Sequence, residues 1–289
     1  MLLLFRLLSH LPLALLHAGG SALGWLAWLG SPTYRRRFAA NLAQAGLRRL
    51  AVPGAIGQAG RLVAELPRLW LGRPVPVEWD GAELIDAAHA RGHGIVFLTP
   101  HLGCFEITAQ GYARRYAATH GPITVLYRPA RKAWLRPLLD EGRQRPGLAT
   151  APTTLAGVKQ LLKALKSGQA VGLLPDQVPP QGLGVWAPFF GREAYTMTLS
   201  ARLARVQGAT LLLAWGERLG AGRGYVIHLR ELSAPLADDA RTAAKQVNAE
   251  MERLIAECPA QYLWGYARYK APREDGPAAP AQHAPGAAS

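Results

Sequence analysis

Cysteine is scarce in this chain, whose 289 residues include only Cys104 and Cys258. Two cysteines cannot build a multi-disulfide framework, and their separation does not match the spacing of metal-ligand pairs. The sequence therefore predicts neither a disulfide-stapled fold nor a zinc site, and a reducing compartment is the simpler assumption. We predict no metal ion and no other cofactor.

Acidic residues are also few: 19 Asp and Glu face 33 Lys and Arg, which gives a formal charge of +14. A balance this basic favours an anionic partner, whether nucleic acid, an acidic protein or anionic lipid. The apolar fraction of 49% supports a substantial core. A chain of this length forms one large domain or a domain with appendages.

Charge is missing altogether from one N-terminal stretch, Leu7 to Gly30. Its length suffices to cross a hydrocarbon core as a helix. Pro12 and the pair Gly19-Gly20 make the helix imperfect, which leaves an interfacial or a re-entrant segment open as an alternative. A cleaved signal peptide is disfavoured because the charged n-region is almost absent and the apolar stretch is long. We predict a membrane-anchoring helix over residues 1–30.

The residues after this stretch indicate its orientation. Trp25 and Trp28 lie near its far end, where indole rings favour the headgroup boundary. Arg35, Arg36 and Arg37 follow. Positive residues tend to stay on the cytoplasmic side, so the rest of the chain is expected there.

Beyond residue 76 short β-rich runs alternate with amphipathic segments. This alternation predicts an α/β fold with a mostly parallel central sheet covered by helices. The predicted strands are Gly94–Leu98, Ile123–Tyr127, Ala170–Leu174, Thr210–Trp215 and Tyr225–Leu229. The predicted helices there are Ala82–Ala90, Phe105–Tyr116, Trp134–Arg143, Leu155–Lys166, Thr198–Val206 and Ala240–Cys258, after two earlier ones over Thr33–Gly46 and Ala55–Leu71.

Domain boundaries follow from these patterns. Residues 31–272 are expected to form the main domain, helical over 31–75 and α/β over 76–272, and the Ala/Pro/Gly-rich tail 273–289 is expected to be disordered. The Gly/Pro-rich connection Pro175–Tyr195 shows no periodicity and is interpreted as a functional loop.

The segment Leu98-Thr99-Pro100-His101-Leu102-Gly103-Cys104-Phe105-Glu106 places an imidazole and a carboxylate five positions apart. On one helix such positions lie about 140° apart and do not meet. His101 must therefore lie in a turn, with Glu106 on the first helical turn reaching back. A neutral His suits a general base, and a carboxylate on its ring fixes the tautomer. By itself this spacing is also compatible with a helix-capping His beside an unrelated Glu.

Two neighbours of the pair suggest further roles. Gly103 permits a close backbone approach, and amides near it at the helix start are candidates for stabilising an oxyanion. Cys104 offers a rival chemistry as a thiolate nucleophile, although a small residue on a buried helix face is favoured.

Further segments carry a family resemblance in this order: Tyr127-Arg128-Pro129, Leu174-Pro175-Asp176-Gln177, Pro188-Phe189-Phe190-Gly191, Gln261-Tyr262-Leu263-Trp264 and Arg268-Tyr269-Lys270. Together with the His-x4-Glu segment they resemble the late acyltransferases of lipid A biosynthesis, the lauroyl/myristoyl transferase family. This is a branch of the lysophospholipid acyltransferase superfamily. The segment typical of the glycerolipid branch, Pro-Glu-Gly-Thr, is absent.

The resemblance implies a membrane-bound O-acyltransferase of the cell inner membrane. It moves an acyl chain from an acyl carrier protein thioester to a hydroxyl of a lipid A precursor. It implies His101 as general base, Glu106 as its partner, and Arg128, Asp176, Gln177 and Gly103 as substrate-binding residues. Anionic membrane lipid is an expected partner and nucleic acid is not.

Two other functions remain open at this stage. One is a related acyltransferase acting on an ornithine lipid or a glycolipid. The other is a membrane-anchored basic binding protein without activity, which accounts for the charge but leaves the ordered motifs unexplained.

Overall fold

The computed structural model describes residues 2–48, 54–127 and 145–273. Its N-terminal part is helical, as the periodicity predicts. Pro12 separates the first two helices. Pro67 lies in the first turn of a short fifth helix that begins at Leu66, so that the helix predicted over Ala55–Leu71 is divided at Glu65. The helices are α1 (Leu2–Ser9), α2 (Leu13–Gly30), α3 (Pro32–Gln44), α4 (Ala55–Ala64) and α5 (Leu66–Leu71).

Strands and helices alternate from Val77 onward. The strands are β1 (Val77–Asp80), β2 (Ile95–Leu98), β3 (Ile123–Tyr127), β4 (Leu148–Pro152), β5 (Ala170–Leu173), β6 (Gly184–Phe189), β7 (Arg192–Met197), β8 (Thr210–Arg218) and β9 (Tyr225–Glu231). The helices are α6 (Ala82–Ala90), α7 (Phe105–His120), α8 (Leu155–Lys166), α9 (Leu199–Ala204) and α10 (Ala240–Glu257).

Seven strands form one sheet in the order β1-β9-β8-β2-β5-β3-β4. Every neighbouring pair is parallel except β8 and β9. The predicted α/β class with a mostly parallel sheet is confirmed. The two strands of this sheet that the sequence did not predict, β1 and β4, are its edges. Their half-exposed residues lack the continuous apolar run of a central strand.

Both faces of the sheet are covered, and strand β2 shows why. Val96 and Leu98 contact one core, built with α3, α4, α8 and α10, whereas Ile95 and Phe97 contact the other, built with α5, α6 and α7. Successive side chains on a strand point to opposite faces, so a fully apolar strand serves two cores.

The connection Pro175–Tyr195 differs from the predicted irregular loop. Strands β6 and β7 form a two-stranded antiparallel hairpin there, and its turn includes Phe190 at φ 46° and Gly191 at φ 74°. The hairpin packs against α10 through Phe189, which is buried. Tertiary packing thus orders a segment whose own sequence has no strand period.

Three sequence-based expectations lie partly or wholly outside the described residues. They are the helix over Trp134–Arg143, the residue Arg128, and the tail 273–289 beyond its first residue. The domain boundaries remain predictions. Among the described helices, α2 is long and apolar enough to cross a membrane by length and composition.

Candidate functional site

Two neighbouring parallel strands end at the same edge of the sheet and bring the site together. Strand β2 ends at Leu98 and β5 at Leu173, and the Thr99 amide donates to the Leu173 carbonyl at 3.0 Å. His101 follows β2 and Asp176 follows β5. Ligand sites of α/β sheets lie beyond the carboxyl ends of the strands, where these two residues are.

His101 and Asp176 form a two-point contact. The Nδ1 atom of His101 lies 2.7 Å from Oδ1 of Asp176, and the His101 backbone N–H donates to Oδ2 at 2.9 Å. Asp176 is almost fully buried. Burial opposes its ionisation, but the charge and hydrogen bonds of His101 outweigh that effect and lower the pKa of Asp176. The contact fixes both the orientation and the tautomer of the imidazole, with Nε2 left for a substrate.

This geometry gives Asp176 a partner that the sequence did not predict. Both of its carboxylate oxygens contact His101 and the side chain is 1% exposed, so it offers little surface to a sugar or phosphate, and its substrate-binding role stays a prediction. Glu106 lies on the first turn of α7, as predicted, and accepts a hydrogen bond from Trp70 Nε1 at 3.3 Å. The carboxylate on Nδ1 of His101 belongs to Asp176, and the role of Glu106 as partner stays a prediction.

Gly103 adopts φ 59°, and a Cβ there would overlap the carbonyl oxygen of Gly216. This close approach to Gly216 explains the glycine, whereas the predicted approach was to a substrate oxygen, and it also occupies the local amides. The Gly103 N–H donates to the Gln261 carbonyl at 3.0 Å and the Cys104 N–H to the Gly216 carbonyl at 2.7 Å. These two amides therefore hold the turn and do not face a substrate. In the described part of the chain, the Phe105 amide at the start of α7 has no acceptor.

Cys104 is fully buried beside Glu65. Burial, reinforced by the negative charge of Glu65, raises the pKa of the Cys104 thiol well above its ordinary value. A thiolate nucleophile needs the opposite, a lowered pKa and access to the substrate. The structure therefore favours a packing role for Cys104.

An apolar pocket opens beside the histidine, between the sheet and α7. It has an empty volume of about 730 Å³, including the space at its open mouth. Thr99, Phe105 and Glu106 lie among its lining residues, and the Phe105 ring is 5.0 Å from the His101 ring between centroids. Most of the other side chains that line the pocket are apolar or aromatic. They include Phe97, Tyr112, Ile123, Val125, Ala214 and Ile227.

The C-terminal segment around Tyr262 and Leu263 is hydrogen-bonded to the turn that contains His101. The Leu263 amide donates to the His101 carbonyl at 3.1 Å, and Leu102 forms a bridge with Tyr262. Tyr262 and Trp264 are buried in the core, so these two residues of the family motif contribute to packing. Phe189 and Phe190 likewise pack the hairpin onto this core.

A buried charge cluster behind the turn was not predicted. Glu65 has no exposed surface and contacts Arg218 at 2.7 Å, His17 at 3.0 Å and the Tyr225 hydroxyl at 2.9 Å. Arg218 also donates to the carbonyl oxygen of Gly103. One signal was available in the sequence: Glu65 is the first acidic residue of the chain and has apolar neighbours on both sides, Val63-Ala64 and Leu66-Pro67.

Two predicted substrate-binding residues, Gln177 and Arg128, remain. Gln177 is half-buried next to Asp176, and Arg128 lies outside the described residues. Within ranges 2–48, 54–127 and 145–273, no three His, Cys, Asp or Glu side chains cluster as metal ligands would.

Comparison with known proteins adds an independent line of support. Residues 57–271 match the family model described as bacterial lipid A biosynthesis acyltransferase. The chain is 31% identical over 192 residues to the lipid A biosynthesis lauroyltransferase of Escherichia coli (strain K12), covering 66% of this chain and 60% of that protein.

Two further relatives extend the comparison. The lipid A biosynthesis acyltransferase of Haemophilus influenzae is 29% identical over 189 residues, 65% of this chain and 57% of its own length. The lipid A biosynthesis palmitoleoyltransferase of Escherichia coli (strain K12) is 26% identical over 192 residues, which cover 66% of this chain and 60% of that protein. The matched region thus spans about 60% of the length of these relatives. Because the family model matches most of the chain, the protein belongs to the bacterial lipid A biosynthesis acyltransferase family.

Proposed function

We propose that this protein transfers a fatty acyl chain from an acyl carrier protein thioester to a hydroxyl group of a lipid A precursor. The transfer takes place at the cytoplasmic face of the cell inner membrane. The observation that carries the proposal is the His101–Asp176 pair next to an apolar pocket, which is lined by Phe105, the residue whose ring contacts His101. Family membership supports the lipid A acceptor, and the basic charge suits both an acidic carrier protein and a phosphorylated lipid.

His101 acts as the general base in this proposal. Nε2 takes the proton from the acceptor hydroxyl while its oxygen attacks the thioester carbonyl carbon, and Asp176 stabilises the imidazolium that forms. When the tetrahedral intermediate collapses, the C–S bond breaks and the proton passes from Nε2 to the departing sulfur. The products are an ester and the free thiol of the carrier protein.

Negative charge develops on the thioester oxygen during the attack. The Phe105 amide, at the positive end of the 16-residue helix α7, is the donor we assign to it. It belongs to the same residue whose ring contacts the His101 ring, which keeps this donor in the neighbourhood of the base. This assignment replaces Gly103, whose amide is already bonded.

The apolar pocket is the proposed seat of the acyl chain. Pockets that bind ligands are mostly apolar with a few polar groups at defined places. Here Thr99 and Glu106 are polar and lie near the histidine, while the interior is hydrocarbon and aromatic rings. Glu106 remains a predicted catalytic carboxylate at this mouth. Arg128 and Gln177 remain predicted acceptor contacts.

The test is transfer by the purified full-length chain from acyl carrier protein thioesters to a lipid A precursor with a free hydroxyl. Mass spectrometry of the product should show one added acyl chain, and His101→Ala should abolish most of it. Ornithine lipid offered under the same conditions serves as the competing acceptor. Preferred acylation of ornithine lipid, or near-full transfer by folded His101→Ala, would contradict the proposal.

A further inference from the structure

Helix α2 has two opposite faces. Its buried residues are Leu13, Leu16, His17, Gly20 and Gly24. Its strongly exposed leucines are Leu15, Leu23, Leu26 and Leu29, each between 58% and 63% exposed. At 3.6 residues per turn the first set centres opposite the second. One face of α2 is buried in the protein. The other face is apolar and exposed, and no other described residue covers it.

The buried face meets α4 through glycines at backbone contact distance. A Cβ on Gly24 would lie 2.6 Å from the Ile56 carbonyl oxygen, and one on Gly20 would lie 2.7 Å from the Ala64 Cβ. A Cβ on Gly60 would overlap the Gly20 carbonyl oxygen. Small residues at such positions let two helix backbones touch, which leaves no space for a lipid chain between them.

A buried side-chain contact further holds α2 on the domain. His17 Nε2 lies 3.0 Å from Oε2 of Glu65, which also binds Arg218 behind the histidine turn. Moving α2 into a bilayer core would take His17 into hydrocarbon and remove one partner from a buried carboxylate. Both changes are unfavourable, because ionisable groups away from water need their partners.

The free faces of α1 and α2 have the composition of a membrane-contacting surface. On α1, Leu3, Leu4 and Leu7 are 54% to 71% exposed, and α1 packs its other face on α5 through Phe5 and Trp70. No Asp or Glu occurs before Glu65, whereas Arg6, Arg36 and Arg37 are exposed. Apolar residues rimmed by cations match an anionic lipid surface, with Trp25 placed to lie at headgroup depth.

We infer that α1 and α2 lie along the cytoplasmic surface of an anionic bilayer and that α2 does not cross it. Residues 1–30 are then part of the folded domain, holding the site against the membrane rather than tethering it at a distance. The inference rests on the membrane location in the proposed function, and it concerns topology, not the reaction.

The first experiment measures the side of the membrane on which the α1–α2 turn lies. His10→Cys, exposed in that turn, and Glu78→Cys, exposed on β1, are each made in a Cys258→Ser background. In intact spheroplasts a membrane-impermeant maleimide should label neither, and after permeabilisation it should label both. Labelling of His10→Cys but not Glu78→Cys in intact spheroplasts would mean that α2 spans, and the inference would be wrong.

The second experiment tests the surface itself with purified full-length protein. Leu15→Arg with Leu26→Arg alters the free face of α2, and Leu155→Arg with Leu183→Arg alters leucines 70% and 52% exposed elsewhere. Thermal unfolding confirms that both variants fold. Cosedimentation with vesicles containing phosphatidylglycerol should fall about tenfold for the first pair only. Equal binding by both variants would overturn the inference, and neither result depends on acyl transfer.

Discussion

At the residue scale, the decisive feature is which carboxylate orients His101. Asp176 is almost fully buried and binds both the ring and the backbone amide of the histidine. A carboxylate placed this way holds one tautomer and stabilises the imidazolium formed in the transition state. Glu106 lines the apolar pocket and accepts a hydrogen bond from Trp70, and its catalytic role stays a prediction.

Asp176→Asn should lower kcat by roughly 10²–10⁴-fold, because the amide neither fixes the productive tautomer nor stabilises the imidazolium. The acidic limb of the kcat/KM profile should move to lower pH, since the imidazolium loses its negative partner. Steady-state kinetics from pH 5 to 9 measure both effects, with thermal unfolding as the check on folding.

Glu106→Gln is the matched variant for this prediction. It should leave the acidic limb in place if Asp176 is the partner of His101. A shifted limb in Glu106→Gln, together with Asp176→Asn kinetics close to wild type, would restore Glu106 as the orienting carboxylate.

At the scale of elements, strands β3 and β5 and helix α7 enclose the apolar pocket. Gly172 on β5 lines it, and a Cβ there would lie 3.2 Å from Cγ1 of Val125 and 3.8 Å from Cδ1 of Ile123. An added side chain would therefore take up volume that the acyl chain is proposed to use.

Gly172→Val should shift the preferred donor to a shorter acyl chain. Each methylene that no longer fits costs roughly 1–3 kcal/mol in specificity, or about 10–200-fold in kcat/KM. The measurement is kcat/KM over a series of carrier-protein thioesters of different chain length. Gly19→Ala, at a position with nothing within 4 Å of the added Cβ, is the control and should keep the wild-type preference. An unchanged preference in Gly172→Val would exclude this pocket as the chain site.

The buried cluster around Glu65 joins α2, α5 and the end of β8. Burial raises the pKa of Glu65, but the charge of Arg218 and hydrogen bonds from His17 and Arg218 more than offset this, lowering it from 4.5 to about 2. A carboxyl with a lowered folded-state pKa stabilises the fold above its unfolded pKa and loses that contribution as pH falls. Stability supplied by Glu65 is therefore lost between about pH 4.5 and pH 2.

Glu65→Gln should destabilise the protein by about 3–5 kcal/mol, because Arg218 is left buried without its counter-charge. Chemical denaturation at neutral pH measures the change. Glu257→Gln removes a half-exposed partner of Arg230 at 3.0 Å and should cost at most about 1 kcal/mol. Similar losses in the two variants would show that the buried cluster adds nothing beyond a surface ion pair.

At the scale of the whole molecule, the chain carries a formal charge of +14, and in the proposed function it receives an acidic carrier protein. Contacts between exposed charges are screened over about 10 Å at 0.1 M salt. Such contacts govern encounter more than chemistry, since charge complementarity mainly raises association rates.

Raising salt from 50 mM to 300 mM should therefore raise the KM for the carrier-protein thioester by about tenfold while kcat stays nearly constant. Initial rates at saturating lipid acceptor measure both constants. A soluble acyl thioester without the carrier protein is the control, and its KM should depend little on salt. A fall in kcat with unchanged KM would contradict the assigned role of the charge.

The sequence by itself determined the fold class and the position of the histidine. Apolar runs such as Ala170–Leu173 and the periodicity of α10 specify strands and helices through local burial patterns, which depend on few residues at a time. The i, i+5 spacing placed His101 in a turn and Glu106 on the first turn of α7, as the structure has them. The ordered motifs also identified the family.

Tertiary structure alone decided the partners. Asp176 reaches His101 across 75 positions because β2 and β5 are adjacent and parallel, and strand order is not encoded in a local pattern. The Gly103 and Cys104 amides donate to the carbonyl oxygens of Gln261 and Gly216, which are also distant in sequence and are brought close only by the fold. The sequence of an apolar helix is the same whether the helix spans a bilayer or packs on a domain. Only the contacts of α2 with α4 distinguish these two positions.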